Sequence, residues 1–146
     1  MSPIMSGLLI FTFLYLLVDI FVKYNSFGLF SSALRLTLFG DEEQFIEPLS
    51  SVSFLEYIHT EIFFIMMILL TLSAIYARLA NKIPSTLWVI NAVLLSSLLS
   101  LITLTLSYYF SDSFINLYVL SYFSWHTLAF YMASYSLWSL NFAKSL

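Results

Sequence analysis

The segment that decides the fold is residues 53–78, SFLEYIHTEIFFIMMILLTLSAIYAR. It begins with an S-x-x-E pattern at Ser53 and Glu56, which predicts a capped helix start. A helix of this length rises about 38 Å, which exceeds the ~30 Å hydrocarbon core of a bilayer. The segment therefore predicts a membrane-crossing helix that carries Glu56, His59 and Glu61 in its first turns and no further charge until its last residue.

The composition places the whole chain in a lipid environment. Of its 146 residues, 61% are hydrophobic and only 9% are charged, with a mean hydropathy of +0.95. Soluble domains carry about 25% charged residues, so this chain has too little polar surface to cover itself in water. With no cysteine and five scattered basic residues, it has no thiolate chemistry and no nucleic-acid footprint. The expected partner is the lipid bilayer.

Hydrophobic runs predict four spans and one shorter helix. The segment of residues 27–39 is too short to cross the membrane and too apolar for a free loop, so we predict a helix lying at the interface. The fold class is therefore all-α: a polytopic integral membrane protein with four transmembrane helices in an up-down bundle, forming one domain over residues 1–146. The predicted spans are about residues 4–24, 53–79, 85–108 and 113–142.

Basic residues predict the orientation. Arg78 and Lys82 lie close together in the second connection, and Lys144 lies near the C-terminus, whereas Lys23 and Arg35 are spread over the longer first connection. Short cytoplasmic loops are enriched in Lys and Arg. The pattern predicts that both termini are cytoplasmic, and we place the chain in a bacterial inner (plasma) membrane.

Acidic residues near the first connection allow two interpretations each. Asp19 either pairs with Lys23 one turn later at the membrane edge, or points into the bundle to bind a ligand. Four acidic residues between positions 41 and 47 form either a solvated turn or a weak site for a cation or a docking partner. The sequence leaves both questions open.

The chain has two histidines, and both lie in predicted spans. His59 precedes Arg78 by nineteen residues, or about 28 Å of helix, and His126 precedes Lys144 by eighteen, or about 27 Å. If the two cations lie at one level, the histidines face each other across the second and fourth spans. Two imidazoles at one depth are the arrangement that ligates haem iron or helps to hold a transition metal ion. We predict His59 and His126 as cofactor ligands, for haem b or a metal.

A metal ion would recruit further side chains. Glu56 and His59 have the E-x-x-H spacing of carboxylate metal sites in bundles, and Asp19 is expected within about one turn in depth. The predicted metal ligands are therefore His59, His126, Glu56 and Asp19. The alternatives are a His59 wetted by lipid headgroups and a His126 buried and hydrogen-bonded to a serine or tyrosine.

Two functions follow from these interpretations. In the first, the protein binds haem b or a metal between the second and fourth spans for electron transfer or metal handling. In the second, it is a non-catalytic membrane subunit or scaffold whose small-residue faces and acidic loop dock partner membrane proteins or a second copy. We find no metalloprotease helix, nucleotide-binding loop or supported hydrolase triad, so an enzyme acting on its own is not expected.

The charge pattern makes a testable prediction about topology. Reporter fusions placed after Lys82 and after Lys144 should both give the cytoplasmic signal, because the denser basic residues lie on that side. A fusion after Gln44, in the acidic loop, should give the external signal. An external signal from either of the first two fusions would contradict the predicted orientation.

Overall fold

The computed structural model describes residues 3–142, and Lys144, one of the cations used above, lies outside this range. Five α-helices make up the fold, four of them long, and the predicted short helix in the first connection is present. The all-α fold class is therefore confirmed. The helices are α1 (Pro3–Ser26), α2 (Ser31–Phe39), α3 (Ser51–Leu79), α4 (Thr86–Tyr109) and α5 (Ile115–Phe142), with a 3-10 turn (Asp112–Phe114) before α5.

The start of α3 differs from the predicted capping box. The cap is Ser50, which has extended backbone angles and whose hydroxyl oxygen accepts a hydrogen bond from the Ser53 amide at 3.2 Å. The helix consequently begins at Ser51, and Glu56 lies exposed on the second turn. Pro48 limits how early the helix can begin, because the residue preceding a proline is held out of the helical region.

Helix α2 begins four residues later than predicted. A turn around Gly28 precedes it, with a φ of 91°, where a Cβ atom would come within 2.7 Å of the Leu34 nitrogen. Only glycine fits there without strain. Leu34 and Leu38 are fully buried in the bundle, whereas Phe30 is exposed. One apolar face of α2 therefore packs against protein, and its placement at the bilayer interface stays a prediction.

Two ends of the bundle can be distinguished. The Tyr108 hydroxyl donates to the Leu49 carbonyl oxygen at 2.8 Å, and the Tyr108 ring stacks on Phe54 at 4.0 Å. These contacts bring the end of α4 to the start of α3, beside α2. We call this the loop end, and we call the opposite end, which carries the connection of residues 80–85 between α3 and α4, the turn end.

Helix α5 occupies the centre and contacts each of the other four helices. Within the described residues, three helices are long and apolar enough to cross a membrane, namely α1, α3 and α4. At 28 residues α5 is also long enough, but it is richer in polar and aromatic residues. Its surroundings explain part of this composition, because Tyr122 and His126 lie on sides of α5 that pack against protein, whereas its exposed face carries residues such as Leu120.

Helix α4 presents a seam of small residues to the bundle. Five of its seven buried positions recur at alternating steps of four and three, the spacing of helices that pack closely over their length. The buried hydroxyls on this seam are satisfied within α4 itself: Ser100 donates to the Ser97 carbonyl oxygen and Ser107 to that of Thr103, both at 2.7 Å. Small side chains with no unmet hydrogen bond allow close backbone approach. The seam consists of Val93, Ser97, Ser100, Leu104 and Ser107.

This packing predicts the effect of adding volume. Ala129→Leu on α5 should lower the free energy of unfolding in detergent by about 1–3 kcal/mol, because Ala129 is fully buried and extra methylenes strain a filled core. Ala92→Leu is the matched control, since Ala92 lies exposed on α4 and should change stability little. Equal effects of the two substitutions would contradict the packing described here.

Candidate functional site

Three helices bring four ionisable side chains together inside the bundle. Asp19 and Lys23 lie one turn apart on the face of α1 that meets α5, Glu61 comes from α3, and His126 comes from α5. Lys23 and His126 are almost completely buried, and the side chains of Asp19 and Glu61 are only 11% and 13% exposed. We call these four residues the buried cluster.

Lys23 is the cation that joins the two carboxylates. Its Nζ lies 3.3 Å from Asp19 Oδ1 and 3.2 Å from Asp19 Oδ2, and it also donates to Glu61 Oε1. Nζ lies 4.7 Å from the centre of the Tyr122 ring, within the range of a cation–π contact. The two interpretations of Asp19 from the sequence are compatible here, because the carboxylate pairs with Lys23 and also points into the bundle.

His126 completes the cluster through contacts at both ring nitrogens. Its Nε2 lies 3.1 Å from Asp19 Oδ2, and its Nδ1 lies 3.2 Å from the backbone carbonyl oxygen of Tyr122. The Tyr122 hydroxyl donates to the same Oδ2 of Asp19 at 3.0 Å. Asp19 therefore accepts from a lysine and a tyrosine and lies within hydrogen-bond distance of the histidine ring.

Aromatic rings enclose the histidine. The ring centres of Trp125 and Tyr122 lie 3.7 and 4.1 Å from that of His126. Closer to the loop end, Phe27 stacks on Tyr57 at 4.2 Å with nearly parallel planes. Such surroundings exclude water, so electrostatic interactions inside the cluster are stronger than they would be at a surface.

The cluster lies at membrane depth. Counted from the loop end, Asp19 is about 10 Å from the end of α1, Glu61 about 15 Å from the start of α3, and His126 about 16 Å from the start of α5. The three helices are 24 to 29 residues long. Ionisable groups at such positions are rare in membrane proteins and mark functional sites or internal pairing.

The predicted metal ligands are only partly brought together. Asp19 and His126 are in direct contact, whereas Glu56 and His59 lie exposed on α3. Within residues 3–142, no group of three or more His, Cys, Asp or Glu side chains is arranged to hold a metal ion. The pairing of His59 with His126 stays a prediction from the sequence, and the observed partners of His126 are Asp19 and a backbone carbonyl.

Sequence reasoning did not identify Lys23, Glu61 and Tyr122 as members of a site. The signal for Glu61 was present, since it directly precedes the longest uncharged run of α3. The four-residue spacing of Tyr118, Tyr122 and His126 also places one polar edge along α5. The spacing within α5 does not tell which neighbouring helix this edge meets, and the structure shows that it faces Asp19 and Lys23 on α1.

A second polar contact lies at the surface of the loop end. Arg35 Nη2 on α2 lies 2.8 Å from Asp112 Oδ2, and both side chains are largely exposed. The Ser31 hydroxyl donates to Asn116 Oδ1 at 2.6 Å. Exposed pairs of this kind add little stability. The two contacts join α2 to the start of α5 on the loop-end side of the buried cluster.

An apolar groove of about 580 Å³ separates α3 from α4. The two hydroxyl residues in its wall, Ser97 and Thr105, donate to the carbonyl oxygens of Leu94 and Leu101 on their own helix. The groove therefore offers no side-chain hydroxyl to orient a ligand. The chemistry of the described residues is concentrated in the buried cluster.

Comparison with known proteins identifies the family. Residues 28–145 match the model of the Aq_1264_TM family, described as a transmembrane helical domain. The match covers α2 to α5, with Glu61 and His126 inside it and Asp19 and Lys23 outside. No curated protein and no solved structure matches the chain. The chain belongs to the Aq_1264_TM family of transmembrane helical domains and is an integral membrane protein.

Proposed function

We propose that this integral membrane protein binds a proton at the buried cluster, between Asp19 and His126, and that uptake and release of this proton is its activity in the membrane. The observation that carries the proposal is the environment of His126. Both of its ring nitrogens face hydrogen-bond acceptors, the Asp19 carboxylate and the Tyr122 carbonyl oxygen.

A count of donors supports this assignment. A neutral imidazole has one N–H donor and one acceptor nitrogen, so it satisfies only one of the two contacts. The second contact requires a further proton, carried either by the ring or by the carboxyl group. Because Lys23 and the Tyr122 hydroxyl already donate to Asp19, the carboxylate is favoured in its ionised form and the proton resides on His126.

The charge balance supports the same assignment. With His126 protonated, Asp19 and Glu61 contribute two negative charges, and Lys23 and His126 contribute two positive charges. The cluster is then neutral, which minimises the cost of holding charges at low dielectric. Loss of the proton leaves one net negative charge within the bundle. Proton binding at this site therefore changes the electrostatic energy of the helix contacts around it.

A purely structural role explains less. Buried ion pairs seldom stabilise a fold more than apolar residues of similar volume would, because desolvation offsets their attraction. Lys23 and Glu61 alone would form a neutral pair across α1 and α3. The additional Asp19 and His126 introduce a titratable pair that the packing of three helices does not require, and this favours a role in proton binding.

The contacts in the structure bear differently on the two functions proposed from the sequence, cofactor binding and partner docking. Electron transfer through haem b or a metal held by His59 and His126 gains no support from the contacts, because His59 is exposed and the Nε2 of His126 is engaged by Asp19. The scaffold proposal relied partly on small-residue faces, and the seam on α4 is buried within the bundle. Partner docking through the acidic loop, the single domain and cytoplasmic termini in a bacterial inner membrane remain proposals.

Infrared spectroscopy of the protein in lipid vesicles tests the proposed site. The His59→Gln variant, with ring-labelled histidine, reports on His126 alone, and we expect its imidazolium bands to convert to those of neutral imidazole as the pH rises. Asp19→Asn should move this conversion to lower pH, because the ionised partner that stabilises the imidazolium is lost. Asp112→Asn is the matched control at an exposed carboxylate and should leave it unchanged.

A His126 ring that is neutral at every pH at which the protein remains folded would contradict the proposal. So would an Asp19→Asn variant that titrates as the wild type does. The comparison with Asp112→Asn separates a local effect of the Asp19 carboxylate from a general effect of net charge.

The role of Lys23 gives an independent prediction. Lys23→Met should lower the free energy of unfolding by about 3–5 kcal/mol, because it leaves Asp19 and Glu61 buried without their shared cation. Arg35→Met, the control at the exposed pair, should cost less than about 1 kcal/mol. Denaturant unfolding in detergent measures both. If adding Glu61→Gln to Lys23→Met restores none of the lost stability, uncompensated carboxylate charge is not the cause.

A further inference from the structure

We infer that the proton exchanges with the buried cluster from the loop end only, and that the apolar layer next to the cluster on the side of the turn end closes the site there. The inference rests on the proposed function and adds the direction of access. A site of this kind responds to the pH on one face of the membrane and does not conduct protons across it.

Polar groups continue from the cluster towards the loop end. On α5, Tyr118 and Tyr122 precede His126 at intervals of four residues, or about 6 Å of helix each. On α3, Tyr57 lies one turn before Glu61. Tyr118 is three residues from the start of α5, and beyond it lies the exposed contact between Ser31 and Asn116. Tyr122, Tyr118 and Tyr57 thus place hydroxyl-bearing side chains between His126 and the polar surface of the loop end.

Towards the turn end the layer that directly follows the cluster is built mainly from apolar side chains, and the buried hydroxyls of Ser73, Tyr76 and Ser136 belong to residues about 15 Å or more further along their helices. His126 and Ser136, the next buried polar residue of α5, are ten residues apart, or about 15 Å. Phe13 of α1 meets Phe130 of α5 edge-on at 5.2 Å within this interval. The buried apolar residues that fill it are Leu9 and Leu16 of α1, Ile65, Leu69 and Leu72 of α3, and Ala129, Met132 and Ala133 of α5.

The Tyr76 ring meets Tyr131 and Tyr135 at 6.2 and 5.6 Å in the turn-end half of the bundle, but among the described residues no hydrogen bond joins these hydroxyls to the cluster. Thr12, the buried polar residue of α1 there, donates to the Leu8 carbonyl oxygen of its own helix at 2.9 Å. Tyr15 lies one turn from Asp19, and its ring packs against Phe64 at 5.9 Å. A proton needs a chain of hydrogen-bonding groups or water, and a layer filled with apolar side chains offers neither.

The ionisable groups around the Asp19–His126 pair can be named for each helix. Helix α4, from Thr86 to Tyr109, has no Asp, Glu, Lys, Arg or His, and Arg35 of α2 pairs with Asp112 at the surface. Only a few neighbouring ionisable groups therefore influence the protonation of the pair. These are Tyr15 and Lys23 of α1, Tyr57 and Glu61 of α3, and Tyr118 and Tyr122 of α5.

The fluorescence of Trp125 offers a readout of the direction of access, since its ring centre lies 3.7 Å from that of His126 and a protonated imidazole quenches indole emission. Trp88→Phe and Trp138→Phe, at two exposed positions, leave Trp125 as the sole tryptophan, and His59→Gln leaves His126 as the sole histidine. The chain has no cysteine, so Glu43→Cys marks the loop end for a membrane-impermeant maleimide that reports the orientation in vesicles.

The experiment is a rapid pH change outside buffered vesicles that carry this variant in a known orientation. We expect a prompt change in Trp125 emission when the labelled loop end faces outwards, and none in the opposite orientation until the gradient decays. His126→Gln should abolish the response in both. A prompt response in both orientations, or only when the turn end faces outwards, overturns the inference while leaving proton binding intact.

The two proposals fail in different ways. If Trp125 emission does not change with pH even in detergent, where both ends are accessible, while His126→Gln has the same emission as its parent, no proton is bound at His126. That result removes the proposed function, and the one-sided access falls with it. A response in detergent combined with the wrong direction in vesicles removes only the direction.

Discussion

The bridge that Lys23 forms between Asp19 and Glu61 is the interaction on which the interior of this protein depends. It holds two carboxylates at membrane depth, where each alone would be costly, and it joins α1 to α3 although these helices have few other contacts. With Lys23 in place, Asp19 can present an ionised oxygen to α5. The environment of His126 is a consequence of this arrangement.

The polar side chains of α5 also depend on the position of Asp19 and Lys23 on α1. A helix that receives Asp19 and Lys23 on one side and the seam of α4 on another packs against protein over these sides, and its remaining face is exposed. It can therefore carry Tyr118, Tyr122 and His126 at depths where a lipid-facing helix could not. Helix α5 carries more polar residues than the other long helices because it packs against all of them. The long apolar helices that can cross a membrane are α1, α3 and α4.

The sequence predicted the helices well but did not identify the contacts of the buried cluster, for physical reasons. Long apolar runs determine which segments are helices, so the predicted and observed bounds differ by two residues or fewer at the long helices. Which faces meet depends on contacts between distant segments. Equal depth alone suggested pairing His59 with His126, but depth does not give rotation about the helix axis. The observed rotation exposes His59 and directs Glu61 inwards.

The protonation of the His126 ring is the central claim, and nitrogen NMR in lipid bilayers tests it most directly. A sample labelled with ¹⁵N in the histidine rings shows two residues, and His59→Gln assigns the remaining signals to His126. We predict that both ring nitrogens carry a proton at the acid end of the pH range in which the protein remains folded, because one donates to Asp19 and the other to the Tyr122 carbonyl oxygen. A ring with one unprotonated nitrogen under those conditions would contradict the assignment.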